Sequence, residues 1–203
     1  MAHRFEQQTM LPCNILPYDG SADYYGVIMS VGEADHFLKV LLMDIAWHHD
    51  EVLIFGKKIT TKRKTAWYGD GSFSYTYSGV TKTALPWTKT LLSIKEKLEG
   101  VCGESYNACL LNLYHNGNEG MGWHNDGEKD LKKNGAIASL SLGAERAFLL
   151  KHKGTKEKVS QVLSHGSLLV MKGVTQNHWL HCLPLSKGVH SPRVNLTFRT
   201  IVS

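Results

Sequence analysis

Residues 192–201, PRVNLTFRTI, decide how the rest of this chain is interpreted. Side chains alternate between the two faces of an extended strand, so the segment divides into two sets. One set holds Val194, Leu196, Phe198 and Thr200 and predicts a face that packs on a core. The other set is polar throughout and consists of Arg193, Asn195, Thr197 and Arg199.

The polar face of this strand implies an anionic ligand. A guanidinium that is buried is costly unless an anion pairs with it, and the strand contains no acidic residue. A small anionic molecule would meet the need, with Arg193 binding a carboxylate through two parallel hydrogen bonds. The segment LLNLYHNG at 110–117 resembles this arrangement, because Asn112 and Tyr114 share one face. An exposed strand face is the alternative explanation for both segments.

Two further segments carry metal-ligand chemistry. In GWHNDGE, at 122–128, His124 and Asp126 are two residues apart, and on an extended chain both point to the same side. HWLHCLP, at 178–184, supplies another histidine, either His181 or His178. Two imidazoles and one carboxylate leave positions open for a co-substrate and O₂ on non-haem Fe(II). Zinc in hydrolases accepts the same ligand set.

The N-terminal half predicts helices and strands together. Ser30 and Glu33 have capping-box spacing before an apolar helical pattern that ends near Trp47. Pro86, at a first-turn position, and Gly100, as a terminator, bound a second predicted helix. Between the two helices, alternating residues predict a hairpin that turns at Gly56, followed by a short strand.

The two ends of the chain differ in their patterns. Residues 1–25 show little periodicity and predict an extended arm. From residue 106 onward, short β runs with glycine-rich turns predict a sandwich or barrel. These runs lie at 108–114, 136–142, 147–152, 167–171 and 193–202.

Composition limits the class of protein. The 203 residues are 42% apolar and 20% charged, which argues against general disorder. No apolar run reaches the roughly 18 to 20 residues that span a bilayer, and we expect neither a signal peptide nor membrane association. The four cysteines (Cys13, Cys102, Cys109, Cys182) are too few for a disulfide scaffold. We expect an intracellular monomer, cytoplasmic in a bacterium or nuclear in a eukaryote, and its +5 charge favours a polyanionic partner.

The order of these motifs resembles that of the AlkB family of Fe(II)/2-oxoglutarate dioxygenases. H-x-D, a later histidine and R-x-N-x-x-x-R follow one another, and RKTAWYGD with YTYSG also resembles this family. IFGK, HGSLLVM and HWLHCLP resemble its branch that acts on duplex DNA. The resemblance covers most of the chain and implies a single, mainly β domain with some α structure. It implies a double-stranded β-helix (jelly-roll) core at 104–203, preceded at 1–103 by an arm, helices and an α/β nucleotide-recognition lid.

The resemblance also implies the cofactors and the reaction. Fe(II) would be held by His124, Asp126 and His181, with O₂ as co-substrate. The 2-oxoglutarate pocket would consist of Asn112, Tyr114, Arg193, Asn195 and Arg199, with Arg193 on the distal carboxylate. The implied reaction removes methyl groups of the N1-methyladenine and N3-methylcytosine type from DNA as formaldehyde, while 2-oxoglutarate is decarboxylated to succinate.

The damaged base must leave the duplex to be reached, because a methyl group on a pairing nitrogen is buried there. The resemblance implies that Tyr77 and His124 sandwich the flipped base. It also implies that Glu128 favours the cationic, methylated form, and Gly127 stands where relatives of the duplex branch carry a second acid. Ordinary packing for Tyr77 and a solvated loop for Glu128 are the alternatives.

A basic hairpin is the predicted contact with nucleic acid. Phe55, before Gly56, could act as a wedge in the gap left by the flipped base, or be a buried strand residue. The cations around it, which we expect to contact phosphates, are Lys57, Lys58, Lys62, Arg63 and Lys64. A second basic stretch holds Lys151, Lys153, Lys156 and Lys158.

Three other functions are consistent with the sequence. The same cofactors could serve an enzyme that acts on RNA or on a protein side chain. A nucleic-acid binding module without catalysis is a second alternative, and a zinc hydrolase, which would leave the two arginines without a partner, is the third.

Overall fold

The structure, a computed structural model, describes residues 11–54, 57–71, 74–77 and 80–202, and it describes the backbone alone for 50–54, 57–59, 74–77 and 80–82. Its helices are α1 (Val31–Asp44), α2 (Lys89–Cys102) and α3 (Thr175–His178). Its strands are β1 (Cys13–Asn14), β2 (Ser21–Val27), β3 (His48–Ile54), β4 (Lys57–Gly69), β5 (Ser74–Tyr77), β6 (Val80–Thr83), β7 (Leu85–Pro86), β8 (Ala108–Tyr114), β9 (Met121–His124), β10 (Ile137–Gly143), β11 (Arg146–His152), β12 (Lys158–Leu163), β13 (Ser167–Lys172), β14 (Trp179–Leu183) and β15 (Arg193–Arg199).

Two sheets pack face to face. The large sheet has the order β1-β2-β13-β10-β15-β8-β4-β3, with β7 parallel to β4, and the small sheet has the order β12-β11-β14-β9. Phe148, Leu150 and Trp179 of the small sheet share a buried apolar cluster with Leu169 and Met171 of the large sheet. Two antiparallel sheets around one such layer form a jelly roll, as predicted.

The long helices cover the other face of the large sheet. Leu41 of α1 and Leu91 and Ile94 of α2 are fully buried in a cluster with Leu111 and Leu196 from the sheet. This cluster takes up the apolar set of side chains along β15, so the polar set faces the small sheet. The division into two faces that the alternation predicted is confirmed.

The first helix begins where the capping box predicted. The Ser30 side chain accepts the Glu33 backbone N–H at 3.3 Å, which caps the start of α1. The helix ends at Asp44, before the expected end near Trp47. The Trp47 indole instead donates to the Leu41 carbonyl at 3.0 Å and covers the helix end.

Both predicted ends of the second helix were wrong. Pro86 lies in β7, and the Thr88 hydroxyl caps α2 by accepting the Leu91 N–H at 3.2 Å. Gly100 lies within the helix. The helix ends at Cys102 and is capped by Gly103, whose φ of 70° is the left-handed conformation that glycine adopts without steric cost.

The predicted C-terminal strands are present, with each end within three residues of its predicted position, while several other strands were missed. The most important is β2, which lies in the segment predicted as an arm and pairs with β13. Gly26, with a φ of 69°, and a register shift at Leu168/Leu169 interrupt the alternation that would have revealed this strand. The turn predicted at Gly56 lies outside the described residues. No helix in the described parts of the chain is long and apolar enough to cross a membrane.

Candidate metal and cofactor site

Two adjacent strands of the small sheet bring three metal-ligand side chains together. His124 at the end of β9 is paired in register with His181 of β14. Asp126 lies two residues beyond β9, in a loop rather than on the strand as predicted. One Asp126 carboxylate oxygen is 3.9 Å from His124 Nε2, and the other is 3.8 Å from His181 Nε2. One ligand atom from each residue lies within 4.8 Å of the others, a grouping that could hold one metal ion.

The protonation states suit a cation. His124 Nδ1 lies 2.8 Å from the Gly122 carbonyl oxygen and donates to it, so Nε2 is the ring nitrogen that faces the other two ligands. Burial lowers the pKa of His181 to about 4, against the attraction of Asp126, so this ring is neutral at pH 7. Burial alone would raise the pKa of Asp126, but the Arg199 guanidinium and the two histidines lower it below its usual value. The neutral imidazole of His181, the Asp126 carboxylate and His124 Nε2 form a donor set that fits Fe(II).

His178, the alternative third ligand, lies elsewhere. Its ring stacks on that of His152, which is 3.3 Å from the Asp19 carboxylate. These three residues form a second group with metal-ligand spacing. However, His152 Nδ1 accepts the Thr155 N–H at 3.0 Å, so its Nε2 carries the proton in the neutral ring and has no lone pair for a metal.

A polar row crosses the large sheet above the three ligands. Pairing places Thr65, Asn112, Asn195 and Ser141 side by side on four consecutive strands. All four are buried, and the first three line the same cavity as His124, Asp126 and His181. The large sheet thus provides the polar wall of the site.

Arg193 and Tyr114 form the neighbouring row of this wall. Arg193 is 3% exposed, and its guanidinium lies over the Tyr114 ring at 5.6 Å. It donates to Ser141 Oγ at 2.9 Å, and no acidic group among the described residues pairs with it. Its buried Nε has no hydrogen-bond partner in the described part of the chain. Burial lowers the pKa of Arg193 to about 10, so it stays charged at pH 7 and fits a carboxylate such as that of 2-oxoglutarate.

The side-chain amide of Asn195 forms its hydrogen bonds with other groups of the protein. Its amide nitrogen donates to Ser139 Oγ at 2.8 Å and to the Leu140 carbonyl at 3.0 Å, while Thr197 donates to its oxygen at 3.1 Å. These bonds hold β15 and β10 together at the cavity, so Asn195 fixes the wall on which Arg193 lies.

Arg199 has protein partners, contrary to the prediction that a small anion would neutralise it. Its Nη2 is 3.3 Å from Asp126 and its Nη1 is 3.9 Å from Glu128. Both acids come from the loop after β9, so the sequence of β15 alone could not reveal them.

Arg63 lies in the cavity and not among the exposed cations of the predicted hairpin. It is 8% exposed, and its Nε donates to Asn112 Oδ1 at 3.2 Å. Sequence reasoning also missed Thr65, Ser139, Phe148 and Met171 as cavity residues. Arg63 and Thr65 share one face of β4, and this parity was a partial signal, because the pairing of β4 with β8 is also needed to place them beside Asn112.

The other expected nucleic-acid residues have mixed positions. Glu128 lines the cavity with a side chain 17% exposed, not in an open loop. Lys62 is exposed and Lys64 is half-buried. Phe55 and Gly56 lie outside the described residues, as do the side chains of Lys57, Lys58 and Tyr77.

The second basic stretch lies around β11 and β12. The Lys151 ammonium lies 4.3 Å from the centre of the Trp123 ring, and Lys158 is exposed. Lys153 and Lys156 donate to carbonyl groups of the protein, Lys153 to that of Gln176. Only part of this stretch is therefore free to meet a partner.

Comparison with known proteins identifies the family. Residues 22–199 match the family described as the 2OG-Fe(II) oxygenase superfamily. The chain belongs to this superfamily. Membership implies Fe(II) and 2-oxoglutarate as cofactors, in agreement with the donor set and the buried Arg193.

Relatives share a large part of the sequence. The DNA oxidative demethylase ALKBH2 of Mus musculus is 38% identical over 195 residues, covering 91% of this chain and 82% of that protein. The human ALKBH2 is 39% identical over 88% of this chain and 72% of that protein. The human alpha-ketoglutarate-dependent dioxygenase alkB homolog 3 is 37% identical over 87% of this chain and 65% of that protein. The AlkB resemblance is thereby confirmed.

A solved structure supports the fold. The one described as "The structure of OsALKBH1" matches with a TM-score of 0.61 over 91% of this chain and 99% of that chain. Its sequence identity is 15%, so this likeness concerns the fold alone.

Proposed function

We propose that this chain is an Fe(II)/2-oxoglutarate-dependent DNA oxidative demethylase that repairs N-alkylated bases such as N1-methyladenine and N3-methylcytosine. The observation that carries the proposal is the shared cavity, where a His–Asp–His group lies beside a charged, buried arginine without a described acidic partner. The names of relatives at 37% to 39% identity, DNA oxidative demethylase and alpha-ketoglutarate-dependent dioxygenase, support the same reaction.

The residues of the cavity have separate roles in this proposal. His124, Asp126 and His181 would hold Fe(II), and Arg193 with Tyr114, Asn112 and Asn195 would bind 2-oxoglutarate. When bound, these cofactors supply the oxidation of the N-methyl group by O₂, with succinate, CO₂ and formaldehyde as products. The protein positions the reactants and excludes water from them.

Glu128 gives the cavity a preference for cationic bases. Its Oε2 is buried and has no hydrogen-bond partner in the described part of the chain. N1-methyladenine and N3-methylcytosine carry a positive charge that the undamaged bases lack. A carboxylate at this position therefore favours the lesion, provided that the base is flipped into the cavity. Stacking of that base between Tyr77 and His124 is part of the same proposal.

The test is turnover of a methylated oligonucleotide. Purified protein with Fe(II), 2-oxoglutarate and O₂ should release formaldehyde and succinate in equal amounts, and mass spectrometry should show loss of the methyl group. His124→Ala should abolish both products while its circular dichroism stays unchanged. Formation of succinate without loss of the methyl group would contradict the proposed substrate. Absence of both products would contradict the proposed reaction.

The same assay separates DNA from RNA. We propose a monomer that acts on alkylated DNA, and we expect methylated duplex and single-stranded DNA to be turned over faster than single-stranded RNA of the same sequence. Faster turnover of RNA would assign the enzyme to RNA instead.

A further inference from the structure

The loop that carries Asp126 is attached to the rest of the protein through one residue of α3, Gln176. The Gln176 side-chain oxygen accepts the backbone N–H of Asp126 at 2.9 Å. The Gln176 backbone carbonyl accepts the Asn125 side-chain amide at 2.8 Å and the Lys153 ammonium at 2.9 Å. Two consecutive residues of the loop are thus bound to the same residue.

Asp126 needs such an attachment because the sheet does not hold it. The pairing between β9 and β14 ends at His124 and His181. Asp126 lies two residues further on, where no strand partner fixes its backbone. Arg199 contacts its carboxylate, but a side-chain contact leaves the backbone free to turn. The hydrogen bond to Gln176 fixes the backbone amide of Asp126. It thereby also fixes the direction in which the Asp126 side chain leaves the backbone.

Gln176 also connects Asp126 to the second histidine. It lies five residues before His181 in the same segment, which runs from α3 directly into β14. Thr175, the neighbouring residue, is 1% exposed; its hydroxyl donates to the Lys172 carbonyl group at 2.6 Å and accepts the Ser21 backbone N–H at 2.8 Å. The helix α3, to which Gln176 attaches the loop, is therefore itself attached to the large sheet.

We propose that Gln176 is a positioning residue of the metal site, which holds Asp126 at its place relative to His181 before the metal binds. This inference rests on one part of the proposed function, namely that His124, Asp126 and His181 bind a divalent metal ion. Partners of metal ligands that lie outside the coordination sphere change metal affinity by about 10- to 100-fold when removed, because they pre-orient the ligand.

Three variants separate positioning from mere packing. Gln176→Leu removes the acceptor at nearly the same volume, whereas Gln176→Glu keeps an acceptor oxygen at the same side-chain length. Asn177→Leu is the matched control, because the adjacent Asn177 side chain makes no hydrogen bond among the described residues. Binding of Mn(II) without substrate is measured from the loss of the free-ion signal in electron paramagnetic resonance.

Gln176→Leu should weaken Mn(II) binding by about tenfold or more, while Gln176→Glu and Asn177→Leu should stay within about threefold of the parent protein. In turnover, Gln176→Leu should raise the Fe(II) concentration needed for half-maximal rate and leave the KM for the oligonucleotide unchanged. Urea unfolding of each variant shows whether the fold is retained.

Two results would overturn the inference. One is Mn(II) binding by a folded Gln176→Leu variant at the parent affinity. The other is equal weakening in Gln176→Leu and Gln176→Glu, which would assign the effect to the lost side-chain amide N–H, which donates to Met171 Sδ at 3.7 Å, and not to the acceptor oxygen. Failure of the parent protein to bind Mn(II) at all is a different outcome, since it would contradict the proposed function and not the role of Gln176 alone.

Discussion

Arg193 is the residue whose burial most constrains the ligand. Its charge is isolated from described acidic groups, and it lines a cavity that the three candidate metal ligands also line. A buried guanidinium in this position is costly unless a carboxylate or a similar anion pairs with it. The planar fork of arginine suits that anion better than the point charge of lysine.

Replacing Arg193 should therefore impair binding of 2-oxoglutarate. Gln at this position should weaken binding by about 30-fold or more, since losing one partner of a buried charge pair costs at least about 2 kcal/mol. Lys should restore only part of the affinity. Titration of 2-oxoglutarate into the Mn(II)-loaded protein by calorimetry measures both variants, and an unchanged Kd in Arg193→Gln would exclude Arg193 from the pocket.

His181 should make the metal-free protein less stable in acid. Its pKa falls from 6.5 to about 4 on folding, chiefly because the ring is buried. Between these values the unfolded chain binds more protons, so stability is complete above pH 6.5 and is lost as the pH falls towards 4. From pH 7.5 to 5 this group alone should remove about 2 kcal/mol.

Urea unfolding of metal-free protein at the two pH values measures this loss, which should be smaller in His181→Leu. The same pH dependence in parent and variant would show that another group titrates there.

The sequence predicted some residues of the site better than others. Arg193 and Asn195 follow from parity within one strand, because an alternation of two is a local property. The cavity position of Arg63 could not be predicted in this way, since it depends on the pairing between β4 and β8. The acids that meet Arg199 lie about 70 positions away in the chain, and no local pattern connects them. The grouping of His181, and not His178, with His124 and Asp126 also depends on the register of β14 on β9.

At the scale of single elements, the end of α2 gives a test with two glycines. Gly103 has a φ of 70°, so Gly103→Ala should cost about 1 kcal/mol. Gly100 lies inside the helix with open space around its α-carbon, so Gly100→Ala should stabilise the protein by about 0.5 to 1 kcal/mol. Urea unfolding of both variants measures the two free energies. Effects of equal sign would contradict the assigned helix end.

The elements that could be predicted are those with a strong local signal. The capping box at Ser30 predicted the start of α1, and the apolar alternation of β8 predicted its two ends. Pro86 was misleading because proline suits an edge strand as well as a first helical turn. The strand β2 has Gly26 and two adjacent tyrosines in place of an alternating pattern, and its pairing with β13 and β1 makes it a strand.

For the molecule as a whole, charge should govern how nucleic acid binds. Lys62 and Lys64 lie on β4, next to the strand that carries Asn112 and Tyr114. If both contact phosphates, Lys62→Ala with Lys64→Ala should make the logarithm of duplex affinity less dependent on the logarithm of salt concentration, by a slope of about 1.8. Fluorescence anisotropy at several salt concentrations gives this slope.

The control for charge alone replaces two exposed lysines on the helices. Lys39 of α1 and Lys89 of α2 are exposed on the helices that cover the outer face of the large sheet. Lys39→Ala with Lys89→Ala changes the net charge by the same amount and should leave the slope unchanged. Equal slopes in the two double variants would remove Lys62 and Lys64 from the nucleic-acid contact.

The position of β15 also determines when this protein can fold during its synthesis. This strand lies in the middle of the large sheet, between β10 and β8, yet it follows every other described strand along the chain and leaves the ribosome after them. Until residues 193–199 emerge, β10 and β8 have exposed edges that can pair with other chains. A polypeptide released before that point would lack the strand that joins the two halves of the sheet, together with Arg193. Early termination should therefore yield aggregating chains and no partly active enzyme.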